Sequence, residues 1–255
     1  MDIENTTSDQ EAIRSRVMVL DDLQFERKVA DLAKELNISI GYLRHLRKES
    51  LSRHDPAHGQ GQEIIFEELG PWPNAVNGNE VLDAIEAQIR RFVVIPDGMM
   101  IPLVLWIALT YASDECDVLP ILVLSSAVKR SGKSTALECL RRLVFHPLTT
   151  SAITTAALFR VVEKLKPTLL IDEADTMFRE NEELRTLVNA SSSRTAAFAI
   201  RCVGEDQEPR RFSTWCPKAI ALIGDLPPTI ADRSIIVRMK RKGTVEKVER
   251  LRADI

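Results

Sequence analysis

At 255 residues the chain is long enough for one substantial α/β domain with a smaller module beside it. Its 45% hydrophobic and 28% charged residues are those of an ordinary globular protein, and a net charge of −3 supplies no global basic field for nucleic acid. A local basic stripe or a pore is still compatible with nucleic-acid binding. The four cysteines, Cys116, Cys139, Cys202 and Cys216, are scattered without a CxxC pair and read as reduced core or strand residues. Cys202 and Cys216 flank an expected hairpin and could face each other. The first ten residues are acidic and polar, unlike a secretory signal. The longest apolar run, Met99–Ala112, contains Pro102 and falls short of the ~20 residues that span a bilayer. The expectation is a cytoplasmic protein without a membrane partner.

Residues 1–50 are expected to form a helical module, helical from Asp21 to about Glu49. Within it Leu32–Glu49 fits a helix-turn-helix, with Ala33 at the close-packed position, Asn37 in the turn and Leu36, Ile38, Leu43 and Leu46 in the core. Arg44, His45, Arg47 and Lys48 would then form an exposed basic face suited to phosphate contacts. A helical packing or oligomerisation module fits the same pattern. Residues 51–70 form a linker, where His54 and His58 read as solvated loop residues rather than metal ligands.

Residues 71–117 form a helical lead-in. Asn79–Phe92 puts Val81, Leu82, Ile85, Ile89 and Phe92 on one face of an amphipathic helix. Met99–Ala112 is apolar nearly all round and predicts a buried helix. From residue 118 to 255 short apolar strands alternate with helices, the mark of a parallel α/β sheet. The expected strands are Pro120–Ser125, Leu148–Ser151, Thr168–Asp172, Lys218–Gly224 and Ser234–Met239.

The first of these strands runs through a short loop, Ala127–Ser131, into Gly132-Lys133-Ser134, which opens a helix expected over Thr135–Val144. Backbone N–H groups of such a loop, together with a helix N-terminus, cradle phosphate. The pattern assigns nucleotide binding to Lys129, Arg130, Ser131, Gly132, Lys133, Ser134 and Thr135, with Lys133 on the outer phosphates and the Ser134 hydroxyl on magnesium. Ala127 stands where the GxxxxGK[ST] pattern has its first glycine, and alanine does not easily take a positive φ. Downstream, Thr168–Glu173 is an apolar strand ending in two carboxylates. On a parallel neighbour of the first strand, Asp172 would share the magnesium with Ser134, and Glu173 would orient or deprotonate the attacking water. The cofactors expected are ATP and Mg2+, and the fold class is α/β, a P-loop NTPase sheet with flanking helices behind a small all-helical module.

A hairpin over about 196–216, inserted between the helices after Glu173 and the next strand, carries Arg201, Arg210 and Arg211 near Phe212 and Trp215. It reads as a pore hairpin gripping nucleic acid or, equally, as a solvated structural hairpin. Arg233, just before the last strand, is the candidate arginine finger for a neighbouring subunit, the alternative being a local pair with Asp232. Gly224-Asp225 occupies the position of a polar sensor.

KRSGKST at Lys129–Thr135, ALFRVVEKLKPTLLIDEADT at Ala157–Thr176, NEELRTLVNA at Asn181–Ala190, RCVGEDQEPRRFSTWCPKAIALIG at Arg201–Gly224 and LPPTIADRS at Leu226–Ser234 carry a family resemblance. The stretch from about Pro71 to Lys242 resembles the ATPase domain of phage and plasmid primase-helicases, similar in layout to AAA+ and superfamily 3 helicases. The resemblance implies ATP-driven work on DNA during replication of a mobile element, as a hexameric ring and with replication partner proteins. No primase polymerase domain precedes the ATPase, and the helical lid usual after it is missing. A fragment, a truncated gene or a partner-dependent enzyme would account for that. Two other functions stay open: a regulatory or scaffolding NTPase that assembles with protein partners without translocating, and a DNA-binding module with a degenerate ATPase core.

Overall fold

The computed structural model describes residues 22–36, 38–44, 47, 61–66 and 70–252. The chain divides into two compact units, Met1–Phe66 and Glu67–Ile255. In the first, helix α1 (Asp22–Glu35) repeats apolar residues every fourth position, so Phe25, Val29 and Ala33 fall on one buried face against Leu43. Ser39 caps the following helical turn, its Oγ accepting from the Tyr42 N–H at 3.1 Å. Ala33 and Leu43 are core residues as expected. Arg47 is not on an exposed basic face: it is buried, its guanidinium 4.4 Å above the Phe25 ring. Asn37, His45, Leu46, Lys48, His54 and His58 lie outside the described residues.

The second unit opens with α2 (Gly78–Phe92), whose N-terminus is capped by the Asn77 side chain accepting from Asn79 N–H at 3.1 Å. Ile89 and Phe92 are buried, but Val81, expected on the same face, is exposed. Helix α3 (Met100–Tyr111) buries Leu103, Trp106 and Ile107 yet presents Ile101, Leu105 and Tyr111 outward, so it is buried on one side rather than all round. The Trp106 indole donates to the Pro120 carbonyl at 2.9 Å and fixes the helix to the first strand.

That strand, β1 (Ile121–Ser126), is buried at every position. The chain continues through α4 (Lys133–Arg141), β2 (Pro147–Thr150), α5 (Thr155–Leu165), β3 (Thr168–Ile171), α6 (Ala174–Glu180) and α7 (Glu182–Ala190). Then come β4 (Phe198–Val203), β5 (Glu208–Ser213), β6 (Lys218–Ile223), the short α8 (Pro228–Ala231) and β7 (Ser234–Arg238). Five strands form one sheet in the order β2-β3-β6-β1-β7, every pair parallel. Strand side chains alternate faces. Leu122 and Leu124 join α2, α3 and α4 on one side, while Ile121 and Val123 join α5, α6 and α7 on the other.

Two expectations change here. The strand beside β1 is not β3: β6, formed later in the chain, lies between them. The helix after the glycine begins at Lys133, two residues earlier than its apolar pattern suggests. The β4–β5 hairpin forms its own antiparallel pair, with Arg201 opposite Arg210 and Cys202 opposite Pro209. Cys202 therefore does not face Cys216, which is buried, and all four cysteines are free. Beyond β7 the chain returns as an extended strap: Glu249 N–H donates to the Arg91 carbonyl at 2.7 Å, and Leu251 packs on the core. Among the described residues no helix is long and apolar enough to cross a membrane.

Candidate functional site

The site sits where β1 and β3 end. Loop 127–132 leaves β1 and makes its sharp turns at Arg130 (φ 61°) and Gly132 (φ 85°). Ala127 is not among the positive-φ residues, so the missing glycine is no strain here. At Gly132 it is conformation rather than space that favours glycine, because an added Cβ would meet only Met239 Cε, at 3.7 Å. Gly132 is the N-cap of α4 and no side chain caps that end. The first N–H groups of the helix therefore have no partner within it, and with the helix dipole they favour an anion.

Lys133 is held over the loop. Its Nζ donates to Ser126 Oγ at 2.6 Å and to Ser131 Oγ at 3.4 Å, and Ser126 Oγ in turn donates to the Val128 carbonyl at 2.7 Å. Burial lowers the Lys133 pKa from the usual lysine value, and the nearby Asp172 and Asp175 carboxylates oppose that shift. Ser134 Oγ donates to Asp172 Oδ2 at 2.9 Å, bringing the two expected metal-binding groups together. The other Asp172 oxygen accepts from the Glu173 N–H at 3.0 Å. Glu173 is exposed, has φ 55° and ψ 35°, and forms the left-handed N-cap of α6. Lys133, Ser134, Asp172, Glu173 and Asp175 line a pocket of about 230 Å³. A larger cleft of about 700 Å³ continues past Gly132 and Thr135 toward Phe92 and Leu251, and Arg130 and Ser134 line both.

A hydroxyl and a carboxylate oxygen already in contact are hard donors suited to magnesium, which keeps most of its waters and takes one or two protein ligands alongside substrate phosphates. Among the described residues no cluster of three or more His, Cys, Asp or Glu forms a protein-only metal cage. The donor set fits magnesium.

Lys129 also lines the smaller pocket, and its carbonyl accepts from Arg241 Nε at 3.0 Å. The remaining sequence candidates lie elsewhere. Arg233 is at the entry of β7, a strand's length from the loop, and donates to the Thr229 carbonyl at 2.7 Å rather than to Asp232. Arg201 pairs with Glu183 and lies 5.2 Å above the Phe159 ring, while Arg211 stacks 3.9 Å over Phe198. Arg210 has only an exposed partner, Glu208, at 3.5 Å. Asp225 is turned to solvent near Arg238, at 3.7 Å.

Two contributors escaped the sequence reading. Ser126 accepts from Lys133; the Ser-Ser end of an otherwise apolar strand is its only signal. Asp175 Oδ1 accepts from the Ile223 N–H at 3.4 Å and Gly224 N–H donates to the Ser126 carbonyl at 2.9 Å, so the end of β6 is tied to both halves of the site. Compared with known proteins, the chain matches no protein-family model and no curated sequence.

Proposed function

We propose that the second unit binds ATP with magnesium at the α4 N-terminus and hydrolyses it. The observation that carries this reading is the convergence of Lys133, the Ser134–Asp172 contact and Glu173 on one small pocket at the end of a glycine-turned loop. Lys133 and the α4 N–H groups neutralise the outer phosphates and orient them. Ser134 and Asp172 hold magnesium, which supplies charge neutralisation at the phosphate oxygens. Glu173, one residue past Asp172 and free of the Ser134 contact, is placed to align a water and take its proton. The test is Glu173→Gln: nucleotide binding is retained and turnover drops by roughly 10²–10⁴-fold. Turnover at the wild-type rate would remove Glu173 from the mechanism.

The motor reading places this ATPase on DNA, in the cytoplasm, as a ring in which Arg233 serves the neighbouring site. In its own chain Arg233 is separated from the phosphate loop by the length of β1, roughly 20 Å, so it can act at such a site only across an interface. A non-translocating, scaffolding NTPase is the second reading, and the hairpin favours it: two of the three arginines expected on nucleic acid are already engaged within the chain. ATP turnover with and without single-stranded DNA separates the two, since only the motor is stimulated.

A further inference from the structure

The larger cleft has two unlike ends. One is the α4 N-terminus with Gly132, Ser134 and Thr135. The other is apolar, with Phe92 at the end of α2 and Val94 just beyond it on one side and Val248 and Leu251 from the returning strap on the other. Phe92 and Val93 are buried, so this wall is part of the packed core rather than a loose flap. The charges around the cleft are unbalanced. Glu138 is taken up by Arg141 (2.7 Å) and Arg142 (3.2 Å), and Glu249 by Arg91. Lys240, Lys242 and Arg250 line the same cleft and make no ion pair among the described residues. A ligand matching this cleft is anionic at the α4 end and apolar at the other.

The strap is fastened beside that apolar wall. Arg91 holds Glu249 through two bonds, Nη2 to Oε2 at 2.9 Å and Nε to Oε1 at 3.3 Å, and the Arg91 carbonyl accepts the Glu249 N–H. Arg142 Nη2 donates to the Arg252 carbonyl at 2.7 Å and secures the far end. Arg91 directly precedes Phe92, so the latch lies beside the apolar wall.

We propose that residues 240–252 form a nucleotide-retaining strap: the base and ribose sit between the strap and Phe92–Val94, and the Arg91–Glu249 pair keeps it closed. The inference rests on the nucleotide reading above and extends it from the phosphates to the nucleoside. It requires that strap variants change the hold on ATP but not on inorganic tripolyphosphate, which has no base to grip.

The experiment measures stopped-flow dissociation of a fluorescent ATP analogue and equilibrium binding of ATP and tripolyphosphate by the full chain. Glu249→Ala releases the analogue up to about fivefold faster, the size an exposed ion pair supports, and binds tripolyphosphate as the wild type does. The reversed pair, Arg91→Glu with Glu249→Arg, restores slow release. Leu251→Asp, which puts a charge against the base, weakens ATP alone. A wild-type dissociation rate in both Glu249→Ala and Leu251→Asp overturns the strap, as does an equal loss of ATP and tripolyphosphate. If the wild-type chain binds neither compound, the nucleotide reading itself fails, and the strap with it.

Discussion

Glu173 is expected to be a residue that the fold would be more stable without. At φ 55° it occupies the left-handed region, where a non-glycine residue is less stable by roughly 1–2 kcal/mol. Glycine adopts that conformation freely but loses more backbone freedom on folding, which takes back roughly 0.5–1 kcal/mol. Glu173→Gly should therefore stabilise the second unit by up to about 1.5 kcal/mol. In a domain of this size that raises the melting temperature by up to roughly 6 °C. Glu173→Gln keeps the backbone conformation and should leave the melting temperature unchanged. Both variants lose turnover to a similar extent, because both lack the carboxylate. Lys166, at φ 43° on the C-cap of α5 and away from the site, supplies the control: Lys166→Gly should gain stability and keep turnover. The assay is thermal denaturation by circular dichroism beside steady-state phosphate release. If Glu173→Gly melts at or below the wild-type temperature while Lys166→Gly rises, the left-handed conformation at 173 is not held against local preference.

Three further outcomes follow from the geometry. Burial lowers the Lys133 pKa, so the free protein loses this proton at a lower pH than an ordinary lysine. Between the two values the unfolded chain binds more protons, and on this group's account stability rises with pH across that window. Phosphates favour the ammonium, so ATP binding takes up a proton there and weakens as pH rises through the lowered pKa. Calorimetry in buffers of different ionisation enthalpy reads that uptake, and Lys133→Met should abolish it. In the hairpin, Arg210→Ala should remove DNA stimulation while leaving basal turnover intact; unchanged stimulation would move the contact elsewhere. Mixing Arg233→Ala with Lys133→Ala chains should recover part of the lost turnover if Arg233 acts across an interface, and no recovery at any ratio would exclude that role.

The strands were legible because each is a short Leu- or β-branched-rich run bounded by polar residues, and β1, β3, β6 and β7 fall within a residue or two of their expected limits. Lys133, Ser134, Asp172 and Glu173 were legible as a group because a fixed local motif carries each half. What spacing along a chain does not carry is lateral order. Nothing in Lys218–Ile223 marks it as the strand that separates β1 from β3. The partners of charged residues were hidden for the same reason: Arg47 and Arg201 have the composition of a binding surface, and only packing shows Phe25 and Glu183 beside them. The strap was hidden more thoroughly, because 240–252 is highly charged without periodicity and is fixed by residues far away in sequence, Arg91 and Arg142.

The lateral order matters chemically. Adjacent strands lie roughly 4.8 Å apart, the spacing β1 and β3 would have as direct neighbours. With β6 between them the separation at the strand ends is roughly twice that, about 9–10 Å. The Ser134–Asp172 contact still closes one side of the gap, because Ser134 belongs to the helix rather than to β1. The strand that opens the gap also fixes its width, through the Ile223 bond to Asp175 and the Gly224 bond to the Ser126 carbonyl. A displacement of β6 therefore reaches the Lys133 side and the carboxylate side together. The opposite end of the same strand leads into the segment that leaves the hairpin, where buried Lys218 donates to the Thr214 and Cys216 carbonyls at 3.1 and 2.7 Å. The candidate site and the hairpin thus hang on the two ends of one strand, and β6 joins them.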